Sequence, residues 1–114
     1  MKKYLVLLLI FPSILFSSTT YAAEGEIAFA KTSLSELLQT AEKSNKLIFV
    51  DAYTTWCGPC KWMAANVFKN SEAIEFYDKN FLSIKLDMEK GEGLNFAKKY
   101  GIEAYPTYVF FFFF

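Results

Sequence analysis

Both cysteines of the chain stand three residues apart, where an apolar segment meets the start of a helical one. They lie in residues 56–61, which read WCGPCK. At a helix N-terminus, the unpaired N–H groups and the positive end of the dipole favour a thiolate over a thiol at Cys57. Cys60 follows one turn later on the same face, while Gly58 and Pro59 permit a tight bend and fix φ early in the helix. This arrangement is typical of two sulfurs that form and break one disulfide.

A structural disulfide and half of a metal site are the alternatives. A disulfide that closes so short a loop removes little entropy from the unfolded chain, so it would stabilise the fold poorly. A zinc site needs about four ligands, whereas the chain has two cysteines and no histidine. The absence of histidine also excludes a Cys-His nucleophile pair and Cys-x-x-Cys-His haem attachment. Dithiol redox chemistry is therefore favoured, and we expect no metal.

The composition argues against a nucleic-acid partner. The chain has 114 residues, and its 12 basic residues, all lysine, equal its 12 acidic residues in number. Without arginine there is no bidentate reader of phosphates or bases, and the lysines are scattered along the chain. We expect a single domain that binds no nucleic acid.

Residues 1–22 have the pattern of a secretory signal peptide. Two lysines precede an apolar stretch over residues 4–16, and a small-residue cleavage site ends at Ala22. A retained membrane anchor is the alternative, but the stretch is short for a bilayer and contains Pro12. We expect cleavage near Ala22, a domain over residues 23–114, and a periplasmic or secreted location, where disulfides persist.

Helical and strand patterns alternate along the rest of the chain. Residues 33–36 form a capping box that predicts a helix start, and the almost continuously apolar residues 47–53 are typical of a strand buried on both faces. Residues 81–88 alternate as a strand does. A lead-in is expected over residues 24–31, and a β-prone segment over residues 107–114. Three further helices are expected: one over residues 61–69, one that begins at a cap at Ser71, and one over residues 91–100 with a left-handed cap at Gly101. This order predicts βαβ units with a right-handed crossover.

The WCGPCK string and the order of the elements resemble the thioredoxin superfamily, in particular its secreted bacterial thioredoxin-like proteins. The other matching positions are Asp51, Lys85 and residues 105–107, and the resemblance extends over about residues 34–111. It implies an α/β fold with a central mixed sheet flanked by helices. It also implies that Cys57 is the exposed nucleophile and Cys60 the resolving thiol.

The resemblance adds two candidate catalytic residues, Asp51 and Lys85. Asp51, six residues before Cys57, matches an acid buried beneath the second cysteine of the family. Its apolar neighbours should desolvate it, raise its pKa and let it exchange protons with Cys60. Lys85 matches a lysine beside that acid and is expected to tune its charge. A solvated strand-end aspartate and a merely exposed lysine are the alternatives.

A predicted substrate-binding surface surrounds the cysteines. Pro106 matches the family's cis-proline, and Tyr105 before it would offer backbone groups to an extended substrate segment. Trp56 is expected to form part of the contact surface, although an aromatic that simply packs is the alternative. Gly58 and Pro59 complete the set.

Two features depart from the family pattern. Ala65 stands where the family commonly has a proline that kinks the helix. The family continues with a further strand and a covering helix, whereas the chain ends in Phe110–Phe114. We therefore expect a fold without its last strand and last helix, and we hypothesise that slippage or a reading error in a tract of phenylalanine codons truncated the frame.

The sequence predicts a thiol-disulfide oxidoreductase that exchanges the Cys57 and Cys60 pair with disulfide-containing proteins of the cell envelope, in the reducing direction. Turnover needs a membrane or soluble dithiol donor, because the chain has no nucleotide-binding or flavin motif and we expect no cofactor. Two alternatives stay open: a chaperone-like peptide-binding module and a non-functional truncated product.

Overall fold

The computed structural model describes residues 25–112. The predicted signal peptide lies outside the described residues. The elements within them are α1 (Leu34–Ser44), β1 (Leu47–Tyr53), α2 (Gly58–Asn66), α3 (Ser71–Asn80), β2 (Phe81–Asp87), α4 (Glu92–Tyr100) and β3 (Thr107–Phe111). None of the described helices is both long enough and apolar enough to cross a membrane.

The three strands form one mixed sheet with β1 in its centre. β1 runs parallel to β2 and antiparallel to β3, so the strand order is β2-β1-β3. The five interior residues of β1 are buried, which is why its sequence is apolar almost throughout. The predicted mixed sheet and the predicted burial of this strand on both faces are confirmed.

Helices cover both faces of the sheet. Because side chains alternate along a strand, even-numbered β1 residues such as Ile48 and Val50 point to one face and odd-numbered residues such as Phe49 to the other. The first face packs against α1 and α4, whose Leu37 and Phe96 belong to the same apolar cluster. The second face packs against α2, α3 and the residues that follow α2. Each face therefore has its own core.

The lead-in segment, residues 27–30, is part of the second face. Ile27 is 1% exposed, and its N–H donates to the Phe68 carbonyl at 2.8 Å. Phe29 forms a parallel bridge with Ser83, and the Ala30 N–H donates to the Ser83 carbonyl at 2.8 Å. This short segment thus extends the sheet beyond β2, where the sequence indicated no element.

The ends of the helices follow their capping residues. The Ser33 hydroxyl accepts from the Glu36 N–H at 3.2 Å, as the capping box predicts. The Glu36 carboxylate, however, bonds the Thr32 hydroxyl rather than the Ser33 backbone. Helix α1 ends at Asn45, which adopts the left-handed conformation with φ 52°.

Two predicted boundaries are wrong. Helix α2 ends at Asn66, three residues before the predicted end at Lys69. Helix α3 is capped by Asn70 rather than by Ser71. The Asn70 side-chain oxygen reaches two free N–H groups, at 3.0 and 3.2 Å, so it caps this helix and Ser71 becomes the first helical residue.

Candidate active site

Cys57 and Cys60 are joined by a disulfide at the N-terminus of α2. Their Cα atoms lie 5.3 Å apart. Cys57 is the N-cap residue, with extended backbone angles, and its sulfur accepts from the Cys60 N–H at 3.1 Å. Pro59 occupies the first turn, where its missing N–H leaves no hydrogen bond unmade. The end of β1 and the start of α2 therefore hold the two sulfurs at bonding distance.

The expectation of an exposed Cys57 is wrong for this disulfide form. Cys57 is 2% exposed and Cys60 is 7% exposed. The Cys57 sulfur is bonded to the Cys60 sulfur and accepts a hydrogen bond from the Cys60 N–H. An incoming nucleophile thus meets a pair with little free surface.

Asp51 lies on β1 and, as an odd-numbered residue, points to the second face of the sheet, where it is buried. It is 2% exposed, and its Oδ1 atom has no hydrogen-bond partner among the described residues. Burial raises the pKa of Asp51 from 3.8 to about 6, while the charge of Lys85 opposes that rise. The predicted upward shift is confirmed, and the solvated aspartate is excluded.

A cavity of about 130 Å³ brings Asp51, Cys60 and Lys85 together. Its lining residues are Asp51, Tyr53, Thr54, Thr55, Cys60, Lys61, Ala64 and Lys85. A polar space of this size has room for a few water molecules. The Asp51 carboxyl and Cys60 therefore border the same space.

Lys85 and Tyr108 flank Asp51 on the two neighbouring strands. Lys85 is its register partner on β2, and Tyr108 is its register partner on β3. The Tyr108 hydroxyl is buried and has no hydrogen-bond partner among the described residues. Burial, and secondarily the Asp51 charge, raises the pKa of Tyr108 to about 12. The sequence analysis missed Tyr108, because only strand pairing places it beside Asp51.

A second, apolar groove borders the two residues between the cysteines. It has a volume of about 530 Å³ and is lined by Gly58, Pro59, Trp62, Met63, Pro106 and Tyr108. Three predicted substrate-binding residues thus share one surface. Trp62, which is 59% exposed, was not among the predicted residues. A large aromatic side chain exposed on α2, just after the cysteines, indicates a contact surface, and Trp62 lines this groove.

Tyr105 and Trp56 form the rim beside the disulfide. The Tyr105–Pro106 peptide bond is cis, as the resemblance implied. The Tyr105 ring packs edge-on against Trp56, with centroids 6.0 Å apart. The Trp56 ring N–H donates to the Glu89 carboxylate at 3.0 Å, and the side chain remains largely exposed. Trp56 is therefore held in place yet open to a partner.

Metal ligands are not grouped in the described part of the chain. Residues 25–112 contain no cluster of three or more histidine, cysteine, aspartate or glutamate side chains that could hold a metal ion.

Comparison with known proteins relates the fold and the site to one family. A family model described as thioredoxin-like matches residues 30–112. Thioredoxin Y1, chloroplastic, of Arabidopsis thaliana is 38% identical over 101 residues, which are 89% of this chain and 55% of that protein. The chain spans about half the length of that protein and of two further chloroplast thioredoxins that it matches, covering 55%, 45% and 52% of their own lengths.

Solved structures give the same result. A disulphide-isomerase candidate from Bacteroides thetaiotaomicron is 50% identical, with a TM-score of 0.66 over 75% of this chain and 70% of that chain. A thioredoxin from Thermus thermophilus is 20% identical with a TM-score of 0.66, over 75% of this chain and 65% of that chain, which shows the shared fold. On the strength of the matched family model and of these relatives, the chain belongs to the thioredoxin-like family.

Proposed function

We propose that this chain is a thiol-disulfide oxidoreductase that exchanges its Cys57 and Cys60 pair with disulfides of other proteins. The observation that carries the proposal is the disulfide at the N-terminus of α2, with Cys60 on the same cavity as the buried carboxyl of Asp51. A dithiol needs a stabilised thiolate and a nearby proton acceptor, and this site supplies both. The relatives named thioredoxin and the disulphide-isomerase candidate support the same chemistry.

The reaction begins from the reduced pair. The Cys57 thiolate attacks one sulfur of a substrate disulfide, a mixed disulfide forms, and the other substrate sulfur leaves as a thiolate. Cys60 then gives its proton to Asp51 and attacks the Cys57 sulfur. The Cys57–Cys60 disulfide forms and the second substrate sulfur leaves. Two electrons pass to the substrate, so a dithiol donor must reduce the pair before the next cycle.

Asp51 is suited to this proton transfer. A carboxyl with a pKa of about 6 is largely ionised at neutral pH, yet it holds a proton more strongly than an exposed aspartate does. It can accept the Cys60 proton when that sulfur attacks. It can also return the proton when the disulfide is reduced again.

The reducing direction and the cell envelope are further parts of the proposal. The Gly58-Pro59 pair resembles that of reducing thioredoxins, whose potentials lie near −270 mV, rather than strong oxidants near about −120 mV. The signal-like pattern of residues 1–22 supports export. Equilibration with glutathione measures the direction, and N-terminal sequencing of the expressed protein measures whether cleavage occurs near Ala22.

Reduction of insulin by the full chain, with dithiothreitol as the donor, tests the activity. Cys57→Ser should abolish turnover, and Cys60→Ser should accumulate a mixed disulfide that mass spectrometry detects. Phe76→Leu, a change at an exposed position on α3, is the control and should keep full activity. Turnover by Cys57→Ser, or the absence of a trapped species with Cys60→Ser, would overturn the proposal.

A chaperone-like module that binds unfolded segments is the second candidate, because an apolar groove of about 530 Å³ and the exposed Trp62 lie beside the disulfide. Such a module would suppress aggregation of a denatured client without redox chemistry. Cys57→Ser separates the two candidates, since a chaperone would keep this suppression while an oxidoreductase would lose insulin reduction. Trp62→Ala should weaken suppression if the groove holds the client.

A further inference from the structure

Opposite charges lie side by side in the buried site without forming an ion pair. Asp51 and Lys85 are register partners on neighbouring parallel strands, so their side chains leave the same face of the sheet. Both line the cavity beside Cys60. Nevertheless, no ion pair joins them in the described part of the chain, where the ion pair present is that of Lys90 with Asp87. Something other than Asp51 therefore holds the Lys85 ammonium.

Three aromatic rings surround that ammonium. Its nitrogen lies 5.2 Å from the ring centroid of Phe29, 5.5 Å from that of Tyr53 and 5.9 Å from that of Phe68. Each ring face attracts a cation, and the attraction is stronger where water is excluded. The rings come from three separate parts of the chain: the lead-in segment, β1 and the turn after α2. We call these three residues the aromatic cage.

The cage is held rigidly. Phe68 is 1% exposed, and the Phe29 ring packs edge-on against it with centroids 5.4 Å apart. The backbone bonds of Ile27 to Phe68 and of Ala30 to Ser83 fix the segment that carries Phe29. Lys85 therefore meets rings whose positions the fold determines.

We propose that the aromatic cage holds the Lys85 ammonium away from the Asp51 carboxylate, and that Phe29 is thereby a positioning residue for the proton exchange between Asp51 and Cys60. The proton exchange itself rests on the proposed function. The position of the ammonium does not. With the cation held back, Asp51 keeps a proton affinity near neutrality instead of being a permanently ionised partner of a lysine.

Other groups that face Asp51 or Lys85 come from every element packed around them. They are Tyr53 on β1, Lys61 and Cys60 on α2 and Tyr108 on β3, while Asp87 on β2 lies near Tyr53 and Tyr77 on α3 lies near Tyr108. Asp87 is already engaged by Lys90 and by the Glu89 N–H. The charge of Lys85 lowers the pKa of Asp51, while burial, the larger effect, raises it. By fixing the position of the Lys85 ammonium, the aromatic cage therefore controls how far this charge lowers the pKa of Asp51.

The proposal fixes the signs of two substitutions. If Phe29→Leu weakens the cage, the ammonium can approach Asp51, favour the carboxylate and lower the pKa of Asp51. Lys85→Met removes the cation and raises that pKa. A purely structural role for Phe29 gives no reason for these opposite shifts.

The test is a ¹³C-carboxyl NMR titration of Asp51 in the full chain with the disulfide formed, so that neither cysteine titrates. Phe29→Leu should lower the pKa by about half a unit or more, because a closer opposite charge lowers a carboxyl pKa. In a Lys85→Met background, Phe29→Leu should produce no shift. Phe29→Tyr keeps an aromatic ring at this position and should therefore keep the pKa of Asp51 at its original value. Phe76→Leu, away from the cage, should also leave that pKa unchanged.

The double substitution separates the cage from simple solvent entry. A shift on Phe29→Leu that persists without Lys85, or no shift in the single variant, would overturn the proposal. If Phe29→Leu does not fold, Tyr53→Leu removes another ring of the cage and is subject to the same two outcomes. The titration needs no substrate, so its outcome does not depend on insulin reduction. The aromatic cage can be disproved while insulin is reduced, and insulin reduction can be absent while the cage is confirmed.

Discussion

Tyr108 lies directly opposite Asp51 in the antiparallel pair of β1 and β3. Since Lys85 lies opposite Asp51 on the other side, a polar row of three side chains crosses β2, β1 and β3 next to the cavity that Cys60 also lines. The neighbouring row contains Phe49 and Phe110, and the ring of Phe49 packs against both Tyr108 and Phe110. The polar row is thus a local interruption of an aromatic core.

Tyr108→Phe should leave the stability of the protein unchanged or slightly higher. The hydroxyl is buried and bonds no protein group among the described residues, so its removal breaks no such hydrogen bond. The ring contacts with Phe49 and Phe68 remain. Urea denaturation measures the free energy of unfolding. A loss of more than about 1 kcal/mol, the net contribution of an ordinary hydrogen bond, would contradict this account.

Asp51→Asn should stabilise the protein at neutral pH. Because burial raises the pKa of Asp51 from 3.8 to about 6, the native state binds more protons than the unfolded state between these values. Stability from this group is therefore fully present below pH 3.8 and falls as pH rises through about 6. The loss at pH 7 is on the order of 2 to 3 kcal/mol.

Thermal or urea unfolding from pH 4 to 8 measures this dependence. The substitution should raise the free energy of unfolding at pH 7 and flatten the decline between pH 4 and 7. Asp87→Asn, an acid-to-amide change on β2 outside the cavity, is the matched control and should not flatten it. An Asp51→Asn protein that is less stable than the original at pH 7 would argue against a desolvated carboxyl.

The same substitution should slow the resolving step. With no carboxylate to take the proton of Cys60, its attack on the mixed disulfide loses general-base assistance, which is worth roughly 10²-fold. Release of thionitrobenzoate from a Cys57-linked mixed disulfide, followed by stopped flow, measures the step directly. In the original protein the rate should rise with pH through about 6, the pKa of Asp51.

Asp51→Asn should lose that inflection, while Asp87→Asn should retain it. An unchanged inflection in Asp51→Asn would assign the titration to another group, such as a cysteine. The stability and kinetic measurements on the same variant are independent, because the first uses the disulfide form and the second uses the mixed disulfide.

Local patterns predicted most of the fold and the chemical centre of the site. The apolar run of β1 indicates a buried strand because burial on both faces leaves no room for polar side chains, and Asp51 stands out within it. The cysteine pair is recognisable because its chemistry needs only residues within one helical turn. Both features depend on neighbours in sequence.

The remaining features depend on neighbours in space. Phe29 lies in a segment too short for a periodic pattern, and it reaches Lys85 only because the segment pairs with β2. Tyr108 meets Asp51 through the register of β3, which no turn between the two strands determines. The cap at Asn70 rather than Ser71 is a competition between two adjacent cap residues, decided by the two N–H groups that the asparagine oxygen reaches.

Gly93 marks a close approach between α4 and the end of β2. A Cβ atom at this position would overlap the backbone carbonyl oxygen of Asp87, so the helix or the strand would have to move. Gly93→Ala should therefore destabilise the protein by about 3 kcal/mol, the upper part of the range for overpacking.

Gly101→Ala is the matched control, because Gly101 has open space around it but a φ of 63°. Its cost should be about 1 kcal/mol, from the left-handed conformation alone. Urea denaturation of both variants gives the comparison, and a Gly93→Ala protein no less stable than Gly101→Ala would show that α4 does not pack against β2 this closely.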